Sequence, residues 1–147
     1  MSYLVMAKSK DALRVAKHPT LEMWRNIPTD PIEVVELVKL LVMLTKEKFR
    51  TIFDSFEKLT PEQPDVEPWD FENLINPVFA VPEKYVRALA EMEEDRMLGI
   101  AKKWCAIEEL KFYKLDPADL KRTIAEYRDF AAKCLKKKLS LLILVAS

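Results

Sequence analysis

Glycine is almost missing from this chain: among 147 residues there is one, Gly99. Glycine-rich phosphate loops and tight hairpin turns need several positions of positive φ that other residues adopt only at a cost, so a mostly helical protein is expected. Histidine is equally scarce, with His18 alone, and the two cysteines, Cys105 and Cys134, lie far apart. That inventory leaves little material for a Ser-His-acid triad, a zinc site or a redox pair, and the two cysteines fit reduced thiols better than a disulfide framework. His18 reads as a surface or helix-end residue, both thiols as buried and reduced, and no metal or cofactor is expected. Long apolar runs are absent as well: the longest, 141–146, is far short of the ~20 residues of a membrane-spanning helix. With no leader-like segment in view, the expectation is a cytoplasmic protein without a membrane partner.

Charge of one sign is also lacking. Twenty-four basic residues balance 24 acidic ones, so net charge gives no reason to expect nucleic acid. A chain of this length suits one domain, 1–147, burying roughly 68–70% of the surface its unfolded form exposes.

What the chain does have is proline, nine residues that divide it into segments. Residues 2–6 are short and apolar and read as a strand, followed by a small helix over 10–17 capped by Ser9. Asp30-Pro31-Ile32-Glu33 predicts a helix starting at Pro31, with Glu33 in the place a capping box requires. Its apolar residues, Val34, Leu37, Val38, Leu41 and Leu44 among them, fill nearly every face, so this helix is expected at the centre. Thr45 either ends it or continues into a new stripe of Phe49, Ile52, Phe53 and Phe56.

Residues 60–82 hold five prolines and read as an ordered, anchored connection. Pro82 opens a further helix, and a second runs on from about Glu94. Gly99 inside it suggests a close helix-helix approach. Asp116-Pro117-Ala118-Asp119 starts the last helix, which three lysines, 136–138, close against its negative end. The terminal run 139–146 fits a strand or a helical extension, and a strand paired with 2–6 is preferred because the two segments then satisfy each other's backbone. The resulting expectation is a mainly α fold, a single-domain bundle of five or six helices with a small antiparallel β element from the two chain ends.

Two candidate sites follow. The 62–72 segment carries Glu62, Asp65, Glu67, Asp70 and Glu72, no lysine or arginine, and the aromatic pair Trp69 and Phe71. Acids around aromatic anchors on a proline-stiffened loop suit a basic protein partner, and Asp65, Glu67, Trp69, Asp70 and Phe71 are the partner-binding candidates. The alternative for these residues is a strap whose aromatics tuck into the core. Trp104 and Glu108 are four apart and would share a stripe of one helix, forming a small-molecule or enzymatic cleft with a carboxylate beside an indole. Glu109 points elsewhere and reads as solvated. The acids 91–95 read as a helix N-terminal turn, since their spacing is not that of a calcium loop. The basic residues of the last helix read as a solvated face.

Val81-Pro82, Tyr85-Val86, Leu89-Ala90, Ile100-Ala101, Trp104 and the pair Glu108-Glu109, followed by a closing helix, a basic residue and an apolar strand, form a pattern over 81–146. It resembles a group of small bacterial proteins without an assigned activity, which read as a proline-started helix, an A-x-x-W-A-x-x-E-E-F helix and a terminal strand. Cys105 stands where that pattern has alanine, and Leu110 where it has phenylalanine. The resemblance implies an α-rich bacterial domain and transfers no catalytic residue. Together these features favour a non-enzymatic protein-binding module, an immunity or inhibitor protein covering a basic active site with 62–72. The alternatives are the Trp104/Glu108 ligand cleft and a structural subunit of a homo-oligomer built on the apolar terminal strand.

Overall fold

The computed structural model describes residues 1–17, 20–62 and 75–146. The two terminal segments do pair. Strand β1 (Ser2–Ala7) runs antiparallel to β5 (Ser140–Val145), with Leu4 opposite Ile143 and Met6 opposite Leu141. They are not an isolated element, however. With β2 (Arg25–Pro28), β3 (Glu57–Lys58) and β4 (Val78–Ala80) they form a five-stranded antiparallel sheet in the order β2-β1-β5-β4-β3. Among the described residues six α-helices accompany it, so the fold is mixed α/β and the expectation of a mainly α bundle with a small β element is corrected. The three added strands are two to four residues long. They are too short to show alternation in sequence; β1 and β5 recruit β2 and β4 by offering free backbone edges, and β4 in turn takes β3.

Alternation along β5 feeds two cores. Leu141 and Ile143 face the larger one, packed with helices α2 (Val34–Thr45), α4 (Glu83–Ala90), α5 (Met97–Cys105) and α6 (Pro117–Lys137). Leu142 and Leu144 face a smaller one, covered by the short α1 (Ala12–Ala16) with Val5, Ala7 and Val78. Both faces of this antiparallel sheet are therefore buried, which explains why β1 and β5 read as continuous apolar runs.

Helix starts follow their signals to different degrees. Asp116 caps α6 as expected, its Oδ1 accepting from the Ala118 amide at 2.9 Å, and α4 begins one residue after Pro82. α2 begins at Val34 rather than Pro31, because Thr29 and Ile32 close a tight turn ahead of it: the Ile32 amide donates to the Thr29 carbonyl at 2.6 Å and Thr29 Oγ1 donates to the Ile32 carbonyl at 2.7 Å. The capping box is then made by Glu33 and Glu36. Thr45 ends α2, with Lys46 in the left-handed conformation, and α3 (Phe49–Ser55) follows.

Gly99 does not mark a close approach: a β-carbon built there meets nothing within 4 Å. It is an exposed position in the first turns of α5. Gly99→Ala is therefore expected to raise stability by about 0.5–1 kcal/mol through reduced unfolded-state entropy and better helix propensity. Urea titration checks it, and a loss of stability would show that the position needs glycine for another reason.

Candidate functional site

Asp65, Glu67, Trp69, Asp70 and Phe71 lie outside the described residues, as does His18. Of the acidic segment, Glu62 is described; it is almost fully exposed and lies 3.5 Å from the Lys58 ammonium. Trp104 and Glu108 are not brought together. α5 ends at Cys105, so the chain leaves the helix before the fourth residue after Trp104. The indole is fully buried and donates to the Glu36 carbonyl at 2.8 Å, with its ring edge-on to Tyr127. Glu108 is exposed and pairs with Lys111 at 3.2 Å.

Other acids have local partners. Glu109 is half-buried against Lys39, whose ammonium lies 2.5 Å away and holds the carboxyl below its ordinary value. Glu94, in the 91–95 cluster, receives Arg128 at 2.8 Å and Lys121 at 3.7 Å, and Arg128 chiefly lowers its pKa. Lys121 and Arg128 of α6 are thus both paired with this one acid before α5. Among the described residues no cluster of His, Cys, Asp or Glu could hold a metal ion. The two cysteines are free; Cys134 is buried and its thiol is pushed up to about 12, which makes it inert as a nucleophile. No helix among the described residues is long and apolar enough to cross a membrane.

A cleft of about 470 Å³ lies elsewhere, at the end of the sheet where β5 finishes. Val34 and Val35 of α2, Phe53 of α3, Phe56, Phe79 of β4 and Val145 of β5 form its apolar wall. Glu33 and Asp54 stand at its rim, and no cationic side chain is among its described lining residues. The helix period of α3 explains the layout. Ile52 and Phe56 turn into the core, while Phe53, stacked on Phe49 at a centroid distance of 5.6 Å, stays 36% exposed. Glu33 is held in place: it accepts from Ser2 Oγ at 2.5 Å and from the α2 backbone as the capping residue. Asp54 lies 3.6 Å from Arg50, both exposed, a pairing worth little in water.

Glu33 and Val34 also line a small cavity of about 10 Å³ on the inner side, together with Ser2, Thr29 and Tyr127. The Tyr127 hydroxyl is buried with no hydrogen-bond partner among the described residues, and burial raises its pKa. The cavity is about the size of one water, and Leu4, Ile32, Leu37 and Ile143 make most of its wall apolar.

An open cleft with apolar walls, carboxylates at the rim and a preorganised acid favours an apolar group carrying positive charge. Its parts come from four places in the chain, around positions 33, 53, 79 and 145, so no local pattern in the sequence marks it. The one legible hint is Phe53-Asp54 beside Phe49, an aromatic pair one turn apart that continues past the core stripe. No protein-family model matches this chain, and neither a curated protein nor a solved structure matches it.

Proposed function

We propose that the protein is a non-enzymatic protein-binding module whose cleft over Phe53, Phe56 and Phe79 takes an apolar, positively charged segment of a partner. The observation that carries this reading is the pairing of an aromatic wall, on which Phe53 is exposed and Phe79 half-buried, with two rim carboxylates, Glu33 and Asp54, and no cation among the described lining residues. Aromatic and aliphatic walls supply the affinity, and the rim charges supply orientation and encounter rate. The sequence of 62–72 supports the same sign of partner. In sequence that stretch lies between β3 and β4, and it carries five acids with Trp69 and Phe71. In the immunity or inhibitor form of the proposal, these acids meet the basic active site of a partner enzyme.

The test is a panel of synthetic peptides alternating leucine or phenylalanine with lysine, against matched glutamate versions, with binding read by fluorescence anisotropy at low and high salt. Lysine peptides are expected to bind, to weaken with salt, and to lose affinity about tenfold or more in Phe53→Glu and Asp54→Lys, a hot-spot-sized effect. Reversal at Asp65, Glu67 and Asp70 is expected to slow association while leaving the circular dichroism spectrum unchanged. Equal binding of both peptide classes, or binding indifferent to the cleft variants, would overturn the proposal.

A further inference from the structure

The chain also carries, outside the residues that line the cleft, a segment with the chemistry this cleft selects. The 3-10 turn Lys111–Tyr113 and Lys114 read Lys-Phe-Tyr-Lys, and Phe112 and Tyr113 are 78% and 58% exposed. Two adjacent aromatics standing that far into water are not ordinary surface composition. Nor is the turn loose. Leu110 beneath it is fully buried and Leu115 packs on the main core. The Lys111 amide bonds the Ile107 carbonyl and the Tyr113 amide the Leu110 carbonyl, each at 3.0 Å. Cys105 Sγ donates to the Leu115 carbonyl at 3.6 Å, and Lys114 is fixed in the left-handed conformation at φ 50°. The result is a preformed aromatic knob flanked in sequence by Lys111 and Lys114, with the Lys111 ammonium 5.3 Å from the Phe112 ring centre and 3.2 Å from the exposed Glu108 carboxylate.

Building on the reading of the cleft as a receptor for cationic apolar segments, we infer that the knob of one copy docks into the Phe53/Phe56/Phe79 cleft of a second copy, so that the protein self-associates head to tail. Shape and charge agree. The cleft volume lies within the range that accommodates drug-sized groups, and Lys111 and Lys114 arrive at a rim formed by Glu33 and Asp54. Within one molecule the two surfaces remain open, since both Phe112 and Phe53 keep their exposure. The contact is heterologous, so it extends into short chains or closes into a ring rather than forming a two-fold dimer. Its size sets its strength. Two aromatic side chains bury on the order of 150–250 Å² each, which with the facing cleft falls under the ~1,200 Å² of stable interfaces and in the weak, transient class. Self-docking then competes with a partner for the same cleft.

Sedimentation velocity from about 10 μM to about 1 mM, the range such an interface occupies, tests the idea with two double variants. One lacks the knob (Phe112→Ser, Tyr113→Ser) and the other lacks the cleft (Phe53→Glu, Asp54→Lys). Wild type is expected to gain mass with concentration and to lose that gain in high salt. Each variant alone is expected to stay monomeric, and an equimolar mixture to form a dimer that grows no further, because each member contributes one intact surface. A wild type that stays monomeric to about 1 mM, a knobless variant that associates like wild type, or a mixture that stays monomeric would overturn the inference. The knobless variant also keeps the outcomes separate. If it still binds the lysine peptides, the cleft reading stands without self-docking; if it does not, the cleft reading fails as well.

Discussion

Replacing Trp104 with alanine is expected to lower stability by about 3–5 kcal/mol, the range for emptying a buried aromatic site. The indole is fully buried and reaches three helices at once. It sits on α5, donates its N–H to the Glu36 carbonyl in α2, and presents its face-to-edge contact to Tyr127 of α6. Because those helices are braced against the sheet by Leu4, Leu141 and Ile143, the site has little freedom to collapse, which places the cost toward the upper part of the range. For a chain of this size the melting temperature should fall by about 10 °C or more. Trp104→Phe separates the contributions: it keeps most of the packing and removes the hydrogen bond, so its loss should be closer to about 1–2 kcal/mol. A loss below about 1 kcal/mol for the alanine variant in denaturant titration would show the indole to be peripheral, contrary to its position.

The same residue shows how far the sequence could be read. Trp104 and Leu41 announce themselves as core by their place in apolar stripes, and both are fully buried. The pairing of the chain ends was legible because 2–6 and 139–146 are two short apolar segments that can satisfy each other's backbone, although a helical extension of 117–137 fits the second run equally well by pattern. Glu108 was not legible in its true place. The four-residue spacing holds only while the helix continues, and α5 stops at Cys105, where the chain enters turns closed by backbone bonds such as Ala106 to Lys103 and Ile107 to Trp104. Arg25–Pro28 and Glu57–Lys58 carry no alternation of their own; they are strands because β1 and β4 offer them an edge. The cleft was hidden for a related reason, since Glu33, Phe53, Phe79 and Val145 meet only through that sheet. The Lys-Phe-Tyr-Lys turn, by contrast, is contiguous in sequence. Its exposure, however, depends on α5 ending at Cys105, which no residue pattern near 105 announces.

Leu142→Ala should cost about 2–5 kcal/mol, and it should do so unevenly across the molecule. Leu142 is at the centre of β5, opposite Val5 on one side and Ala80 on the other, and its side chain is fully buried in the smaller core. That core is otherwise built largely from alanines and valines: Ala7, Ala12, Ala16, Val5, Val15 and Val78. Leu142 and Leu144 are its largest fully buried side chains, and the small buried neighbours around a strand paired on both sides cannot move in to fill the space. The consequence is local as well as global. α1 is five residues long, too short to hold itself without tertiary contacts. It is tied down by this core and by Asn76, whose side chain donates to the Ala16 carbonyl at 3.1 Å. Amide exchange in the variant is accordingly expected to accelerate first in α1 and least in α5 and α6, which pack on the opposite face of the sheet. Uniform acceleration across all helices would mean that the two cores unfold as one unit, and protection of α1 equal to wild type would mean that Leu142 does not hold it.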